Sequence, residues 1–329
     1  MDQRLRPEVR TMLEMMANLD RPPLTGLAPE QLQAVIQATL VQNADPARQD
    51  LDHIKDVAIK RADGSALGGR LYAPRWPMPP DHPVAVFFHG GGYMTGNLDT
   101  HQALAADVAA FLDVTVLAVD YRLAPPHTFP AAADDALVAL SWVDSDPPEI
   151  GGGFPGIILC GDSAGGALAA ICATSAQTSH PLLCQWLMYA SVDMAATGGS
   201  MDEFAEGYLL TGDMLATLRD AYLPALEDRD DPLASPLNVV ELSGAPPAMI
   251  FTCELDPLRD QARLYAARLI EAGVNVRYRE GKGLVHGAFT HRRIVASATD
   301  ELRRCAADVG SLAAEELDHL HRSHGEARS

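Results

Sequence analysis

Short apolar runs alternate with helix-patterned stretches along most of the chain, and this alternation predicts the fold class. Eight runs are predicted strands, at 53–60, 69–74, 84–89, 114–121, 156–160, 184–189, 248–253 and 274–280. Five helix-patterned stretches separate most of them or follow the last, at 101–112, 131–144, 164–177, 258–272 and 291–309. Strands that alternate with helices indicate an α/β protein with a mostly parallel sheet flanked by helices. The first two strands have no helix between them, so we predict an antiparallel edge there.

Two segments interrupt this alternation. Residues 1–50 are helix-patterned except around 20–29, and residues 193–240 carry apolar and acidic residues at mixed spacing between the sixth and seventh strands. We interpret both as helical cap segments over one end of the sheet, although two ordinary surface decorations would also explain them. The core would then consist of residues 51–192 and 241–329.

The stretch "ILCGDSAGGALAA" at 159–171 crowds small residues around Ser163, where a strand passes directly into a helix. Gly161 and Gly165 form the pattern G-x-S-x-G with it. A turn this sharp forces the serine into a strained backbone conformation, and its neighbours must be small because the strand and helix nearly touch. The pattern predicts a nucleophile elbow that exposes the Ser163 hydroxyl at the carboxyl ends of the strands.

A serine nucleophile needs a histidine base, and one histidine downstream of Ser163 is well placed for that role. His286 lies in the glycine-rich loop "EGKGLVHGAF" after the last predicted strand. His180 lies at the opposite end of the sheet, and His291 is predicted to lie in the final helix. The remaining candidates lie in a polar tail that we expect to fray: His319, His321 and His324. We therefore predict His286 as the base.

Two aspartates compete to orient the histidine. Asp256 follows the seventh strand and Asp193 follows the sixth, so both would project at the carboxyl edge of the sheet. Asp256 precedes a proline and a helix, and its loop should neighbour the loop of His286. We favour Asp256 as the acid and expect Asp193 to hold the start of the second cap segment. Asp260 is expected to face solvent or to pair with Arg259 or Arg263.

The glycine run after the third strand can supply hydrogen-bond donors to a developing oxyanion. In "HGGGY" at 89–93, no side chain would separate the backbone N–H groups of Gly91 and Gly92 from a substrate oxygen. We predict an oxyanion hole made by the N–H groups of Gly91, Gly92 and Ala164. His89 precedes the glycines, so we expect it to shape the loop by hydrogen bonding and not to act as a base.

Composition and charge exclude several other classes of protein. Of the 329 residues, 47% are hydrophobic and 21% are charged, as is ordinary for a globular protein. The formal net charge of −19 disfavours a nucleic-acid partner. No apolar run approaches the roughly 18 residues of a membrane span, and the first residues lack the apolar core of a signal peptide. We expect no membrane insertion, a cytoplasmic location, and five buried, reduced cysteines.

Five motifs together resemble the hormone-sensitive-lipase-like family of bacterial carboxylesterases. They occur in the order "HGGGY", "DYRLAPPHTFPAAADDA", "GDSAGG", "DPLRD" and "VHGAF". The resemblance implies an α/β-hydrolase fold with an eight-stranded sheet and a helical cap, and a homodimer. It also places the family's triad on Ser163, Asp256 and His286. Gln261-Ala262 stands where the family often has Glu-Gly, and Tyr93 stands where tryptophan or phenylalanine is common.

The resemblance also implies the activity, that of a serine carboxylesterase acting on small-molecule esters of short- to medium-chain acids. The predicted reaction proceeds through an acyl-enzyme and needs no cofactor or metal. We expect an apolar pocket with Tyr93, Phe204 and Leu209 in its wall. The same triad could instead hydrolyse an amide or a lactone, and a non-catalytic binding protein on the same fold is a third alternative.

Overall fold

The computed structural model describes residues 2–18, 27–44 and 48–326, which form one eight-stranded sheet with helices around it. The strands are β1 His53–Lys60, β2 Ala66–Ala73, β3 Val84–Phe88, β4 Thr115–Asp120, β5 Ile157–Asp162, β6 Leu182–Met188, β7 Ala248–Leu255 and β8 Val276–Val285. The helices in these ranges are α1 Pro7–Ala17, α2 Pro29–Asn43, α3 Gln102–Leu112, α4 Ala131–Asp144, α5 Ala164–Ser175, α6 Ser200–Glu203, α7 Gly212–Tyr222, α8 Arg259–Glu271 and α9 Ser297–Glu326.

The strand order brings two loops together beyond the carboxyl ends of two central strands, β3 and β5. The order is β1-β2-β4-β3-β5-β6-β7-β8, and only the pairs β1–β2 and β2–β4 are antiparallel. The predicted antiparallel edge is therefore confirmed. Because β3 lies between β4 and β5, the chain changes direction across the sheet at this point, where ligands commonly bind beyond the carboxyl ends of the strands. Phe88 pairs with Gly161 in the register, so the loops after β3 and β5 start side by side.

Both faces of the sheet are covered, which explains the continuous apolar runs of the central strands. Every residue of β3 and β5 is buried. Val86 and Phe88 pack with α4, α5 and α8 on one face, whereas Ala85 and Phe87 pack with α1, α3 and α9 on the other. All five cysteines are buried and form no disulfide, as predicted.

The junction of β5 and α5 leaves no room for side chains at its glycines. A Cβ on Gly161 would lie 2.4 Å from the carbonyl carbon of Gly165, and a Cβ on Gly165 would lie 2.0 Å from the carbonyl oxygen of Phe88. A Cβ on Gly166 would lie 2.7 Å from the Cβ of Ala190. The prediction that small residues are needed where strand and helix nearly touch is confirmed.

The terminal helices differ from the pattern-based prediction in their bounds. The final helix begins at Ser297, not at 291, because the chain first forms a 3₁₀ turn at Ala288–Thr290 and then a turn in which the N–H groups of Ile294 and Val295 donate to the His291 carbonyl. It then runs to Glu326, so the tail predicted to fray is helical. At the other end, α1 and α2 confirm the two helix-patterned stretches. Leu13, Met16 and Leu19 stand at helical spacing in the sequence. Leu13 and Met16 lie in α1, and Leu19 lies outside the described residues.

None of the helices in the described residues is long and apolar enough to cross a bilayer.

Two helical glycines offer a matched test of the close approach at β5 and α5. Replacing Gly165 by alanine should lower the free energy of unfolding by about 3 kcal/mol, since its Cβ would press on backbone atoms of β3. Gly310 is an exposed glycine inside α9 with nothing near its Cβ position, and Gly310→Ala should raise that free energy by about 0.5–1 kcal/mol. Urea unfolding of both variants makes the comparison, and equal effects would contradict it.

Candidate active site

Ser163 sits at the sharp turn between β5 and α5. Its backbone has φ 55° and ψ −119°, a conformation that residues with side chains rarely adopt. Its N–H donates to the carbonyl oxygen of Met188 at 2.9 Å, and its carbonyl accepts from the N–H of Ala167 at 3.2 Å. These bonds tie the strained residue to β6 and to the first turn of α5, so the predicted strained conformation is present and firmly held.

His286 and Asp256 lie just beyond the ends of β8 and β7, beside Ser163. The His286 Nε2 is 2.9 Å from the Ser163 Oγ, and its Nδ1 is 2.8 Å from the Asp256 Oδ2. Asp256 is 1% exposed, and its second oxygen accepts the N–H of Leu258 at 2.8 Å. A carboxylate oxygen can only accept a hydrogen bond, so Nδ1 carries the proton that it donates to Asp256, and Nε2 is left as the acceptor that faces the serine hydroxyl.

The residues predicted to form the oxyanion hole lie in the wall of one cavity with Ser163. Gly91 and Gly92 have positive φ values of 122° and 62°, which glycine adopts without strain. Ala164 is the first residue of α5, so its N–H lacks an acceptor within the helix. Within the part of the chain that the structure describes, the N–H groups of these three residues donate no hydrogen bond.

A buried hydrogen-bond network that the sequence did not reveal holds the loop after β3, residues 89–97, against the turn at Ser163. Asp162 Oδ1 accepts the N–H of Gly90 at 2.8 Å, and the Nε2 of His101 lies 3.6 Å from the same oxygen. Burial alone would raise the pKa of Asp162, but electrostatic attraction to the nearby His101 and the hydrogen bond from Gly90 hold that pKa below its usual range. His89 Nδ1 donates to the Gly90 carbonyl at 2.8 Å, and the Tyr121 hydroxyl donates to the His89 carbonyl at 2.7 Å.

An apolar cavity of about 700 Å³ lies in front of Ser163, with walls from both segments predicted as caps. Residues 1–50 contribute Leu13, Met16, Val35, Ile36 and Leu40. Residues 193–240 contribute Met201, Leu209, Leu210, Met214, Leu215 and Leu218. Cavities of this size and character are typical of small-molecule sites.

Of the three residues predicted for the cavity wall, Tyr93 and Leu209 lie in it and Phe204 does not. Phe204 is fully buried in the apolar cluster that α1, α3 and α9 share with the sheet, and the guanidinium groups of Arg4 and Arg259 lie 5.4 and 4.9 Å from its ring centroid. The prediction for Phe204 is wrong, because its ring packs in this cluster and beside these two cations and does not line the cavity. Leu218, which the sequence analysis missed, lies beside Gly92.

Comparison with known proteins identifies the family. A model of the α/β hydrolase fold matches residues 85–290, more than half of the chain. The chain belongs to this family. It is 35% identical over 307 residues to a carboxylesterase, NlhH, of Mycobacterium tuberculosis, covering 91% of this chain and 94% of that protein. It is 35% identical over 259 residues to an ethyl acetate hydrolase of Pseudomonas putida, covering 76% and 80%.

Solved structures agree with this family assignment. An esterase of Pyrobaculum calidifontis superposes with a TM-score of 0.83 at 31% identity, covering 94% of this chain and 99% of that one. The predicted α/β-hydrolase fold and the resemblance to hormone-sensitive-lipase-like esterases are confirmed. The predicted class, an enzyme of the ester-hydrolase type, agrees with the names of these relatives.

The other acidic candidates of this hydrolase chain are engaged elsewhere. Asp193 Oδ1 accepts the N–H of Ala195 at 2.8 Å, and its own N–H donates to the Gln261 Oε1 at 2.8 Å. Asp193 therefore fixes the backbone at the start of residues 193–240, as expected, although it also lines the cavity. Asp260 pairs with Arg259 and Arg263, one of the two outcomes expected for it.

The remaining histidines are also placed away from the Ser163 hydroxyl. His180 contacts Asp144 at 3.1 Å and stacks on Phe154. His291 lies outside the final helix, contrary to the prediction, and lines the cavity, where burial and the nearby His286 lower its pKa to about 4. Burial lowers the pKa of His89 to about 3, so this residue stays neutral while it shapes the loop.

In the described ranges, no group of three or more His, Cys, Asp or Glu side chains could hold a metal ion.

Two isosteric substitutions distinguish the aspartates. Asp256→Asn should lower kcat by about 10⁴, because an amide can donate to Nδ1 and so favour the tautomer with the proton on Nε2. Asp193→Asn should keep kcat within about tenfold and act mainly on KM or stability, since the Asp193 side chain bonds the backbone N–H of Ala195. Steady-state kinetics on a p-nitrophenyl ester makes the test. The opposite ranking would assign the acid to the loop after β6.

Proposed function

We propose that this protein is a carboxylesterase that cleaves esters of short- to medium-chain acids, with Ser163 as nucleophile, His286 as base and Asp256 as its orienting acid. The observation that carries the proposal is the pair of hydrogen bonds joining the three side chains, at 2.9 and 2.8 Å. Carboxylesterase relatives that cover most of the chain support the ester class.

The first half of the proposed reaction transfers the acyl group to the enzyme. The Ser163 Oγ attacks the ester carbonyl carbon while His286 Nε2 takes the hydroxyl proton. The negative charge that develops on the carbonyl oxygen is met by the N–H groups of Gly91, Gly92 and Ala164. His286 then gives its proton to the leaving alcohol as the carbon–oxygen bond breaks, and an acyl-serine remains.

The second half releases the acid. His286 takes a proton from a water molecule, whose oxygen attacks the acyl carbonyl, and the same three N–H groups stabilise the second tetrahedral intermediate. His286 returns the proton to Ser163 Oγ as the acyl–oxygen bond breaks. Asp256 holds the Nδ1 proton throughout and stabilises the imidazolium. The proposed reaction uses no cofactor.

The cavity supports the proposed range of substrates. Its wall is mostly apolar, and each methylene buried there contributes about 0.8 kcal/mol. A volume of about 700 Å³ holds a small ester but limits the length of its alkyl chain. The homodimer and the cytoplasmic location stay predictions.

Alanine substitutions at the two serines of the cavity wall test the nucleophile. Ser163→Ala should abolish ester turnover, a loss of several orders of magnitude, with little change in the melting temperature. Ser191 lines the same cavity, and Ser191→Ala should keep turnover within about tenfold of the wild type, since its hydroxyl takes no part in the proposed reaction. Hydrolysis of p-nitrophenyl butyrate measures both. More than a few per cent of activity in Ser163→Ala would refute the assignment.

The acyl-chain profile tests the cavity. For p-nitrophenyl esters, kcat/KM should rise over the first few carbons, peak at roughly four to eight, and fall steeply for longer chains, because added methylenes then find no buried surface. An amide and a lactone belong in the same panel, and faster turnover of either would favour that alternative. Rapid hydrolysis of emulsified long-chain triglyceride would contradict a cavity of limited depth.

A further inference from the structure

We propose that Gln33 and Gln37 are positioning residues that hold the oxyanion loop, residues 89–97, in its working conformation. The N-terminal segment would then contribute to the chemical step in addition to forming a wall of the cavity. This inference rests on the proposed function, because the loop carries the predicted oxyanion donors Gly91 and Gly92.

The two glutamines lie one turn apart on α2, so their side chains share a face. Gln33 Nε2 donates to the carbonyl of Met94 at 2.7 Å and to that of Ala124 at 3.1 Å. Gln37 Oε1 accepts the N–H of Gly96 at 2.8 Å. One helix therefore binds two adjoining parts of the oxyanion loop backbone, through a donor at one position and an acceptor at the other.

The bond from Gln33 reaches the oxyanion hole through rigid peptide units. The Met94 carbonyl and the Thr95 N–H belong to the same planar peptide, so fixing one fixes the direction of the other. That Thr95 N–H donates to the Gly91 carbonyl at 3.0 Å. The Gly91 carbonyl in turn shares its peptide with the N–H of Gly92. Two rigid planes thus connect the Gln33 amide to a predicted oxyanion donor.

The hydrogen bond that Gln37 accepts from Gly96 fixes the next peptide plane, between Thr95 and Gly96. The Gly96 N–H shares its peptide with the Thr95 carbonyl, and this oxygen lies directly against Gly91, where a Cβ would be only 2.1 Å away. The Thr95 hydroxyl also donates to the Gly91 carbonyl at 2.9 Å. Movement of the Thr95–Gly96 peptide would therefore displace Gly91 itself.

Hydrogen bonds are needed here because the apolar contacts of α2 do not fix direction. Leu32 is buried, and Val35, Ile36 and Leu40 line the cavity. Burial of such side chains attracts the helix to the core but is non-directional. The bonds from the glutamines set where the loop backbone lies relative to the helix, and charge-free partners keep this geometry independent of pH.

Gln33 donates its hydrogen bonds and Gln37 accepts one, and this difference provides a test. Glutamate at position 37 keeps an oxygen that can accept the Gly96 N–H, whereas glutamate at position 33 places an acceptor against two carbonyl oxygens. Gln37→Glu should therefore preserve function and Gln33→Glu should lose it. Methionine at either site keeps the length of the side chain but removes its hydrogen bond. Gln42 is an exposed glutamine near the end of α2, and Gln42→Met is the matched control.

The kinetic experiment uses the full-length chain with p-nitrophenyl acetate and p-nitrophenyl hexanoate at pH 8. Gln33→Met, Gln33→Glu and Gln37→Met should each lower kcat about tenfold on both esters with KM within twofold, because oxyanion donors act in the transition state. Gln37→Glu and Gln42→Met should stay within twofold of the wild type. A change in KM that grows with acyl length, with kcat unchanged, would show that the glutamines serve only the cavity wall and would overturn the proposal.

Hydrogen exchange supplies a readout that does not depend on turnover. In Gln33→Met and Gln37→Met, amides in peptides spanning 89–97 should exchange faster than in the wild type, with melting temperatures within a few degrees. Unchanged exchange there would overturn the proposal even if the protein proved not to be an esterase. Should a methionine variant fail to fold, the contrast between Gln33→Glu and Gln37→Glu decides, and equal behaviour of those two would refute it.

Discussion

The backbone of Ser163, held at φ 55° and ψ −119° between β5 and α5, is the constraint on which the rest of the site depends. Such a conformation costs of order 1–3 kcal/mol and persists only where the surroundings enforce it. Here the glycines at 161 and 165 let the strand and helix approach to backbone contact, and Met188 accepts the serine N–H. The same turn presents the hydroxyl at the carboxyl edge of the sheet and leaves the Ala164 N–H without a partner in the helix.

Each neighbour of the elbow is fixed by contacts of its own. Asp256 is buried and bonded to its own loop, so the His286 ring has one orientation in which both nitrogens find partners. The oxyanion loop, residues 89–97, is bonded on the core side by Asp162 and on the outer side by α2. The core and α2 therefore both fix the loop that carries the proposed oxyanion donors, the N–H groups of Gly91 and Gly92. The helix that forms part of the cavity wall is in this way linked to the proposed chemistry.

The parts that could be predicted from the sequence are those that local pattern determines. The eight predicted strands match the eight strands of the sheet, and the G-x-S-x-G pattern predicted the sharp turn at Ser163. The places of the loops along a parallel sheet favoured His286 and Asp256 as its neighbours, with Asp193 as the alternative acid. Side chains whose position depends on distant packing could not be predicted. Phe204 packs beside Arg4 and Arg259 and does not line the cavity, and nothing in its local sequence indicates these contacts. The bonds of Asp162 and of Gln33 to loop backbone leave no sequence pattern at all.

The proposed function requires that Ser163 becomes acylated during turnover. Rapid quenching of the wild-type protein with p-nitrophenyl butyrate, followed by digestion and mass spectrometry, detects the acylated residue. We expect a butyryl group on the peptide that contains Ser163 and none on that peptide of Ser163→Ala treated in the same way. A butyryl group that turns over on another residue, or active turnover by Ser163→Ala, would show that Ser163 is not the nucleophile.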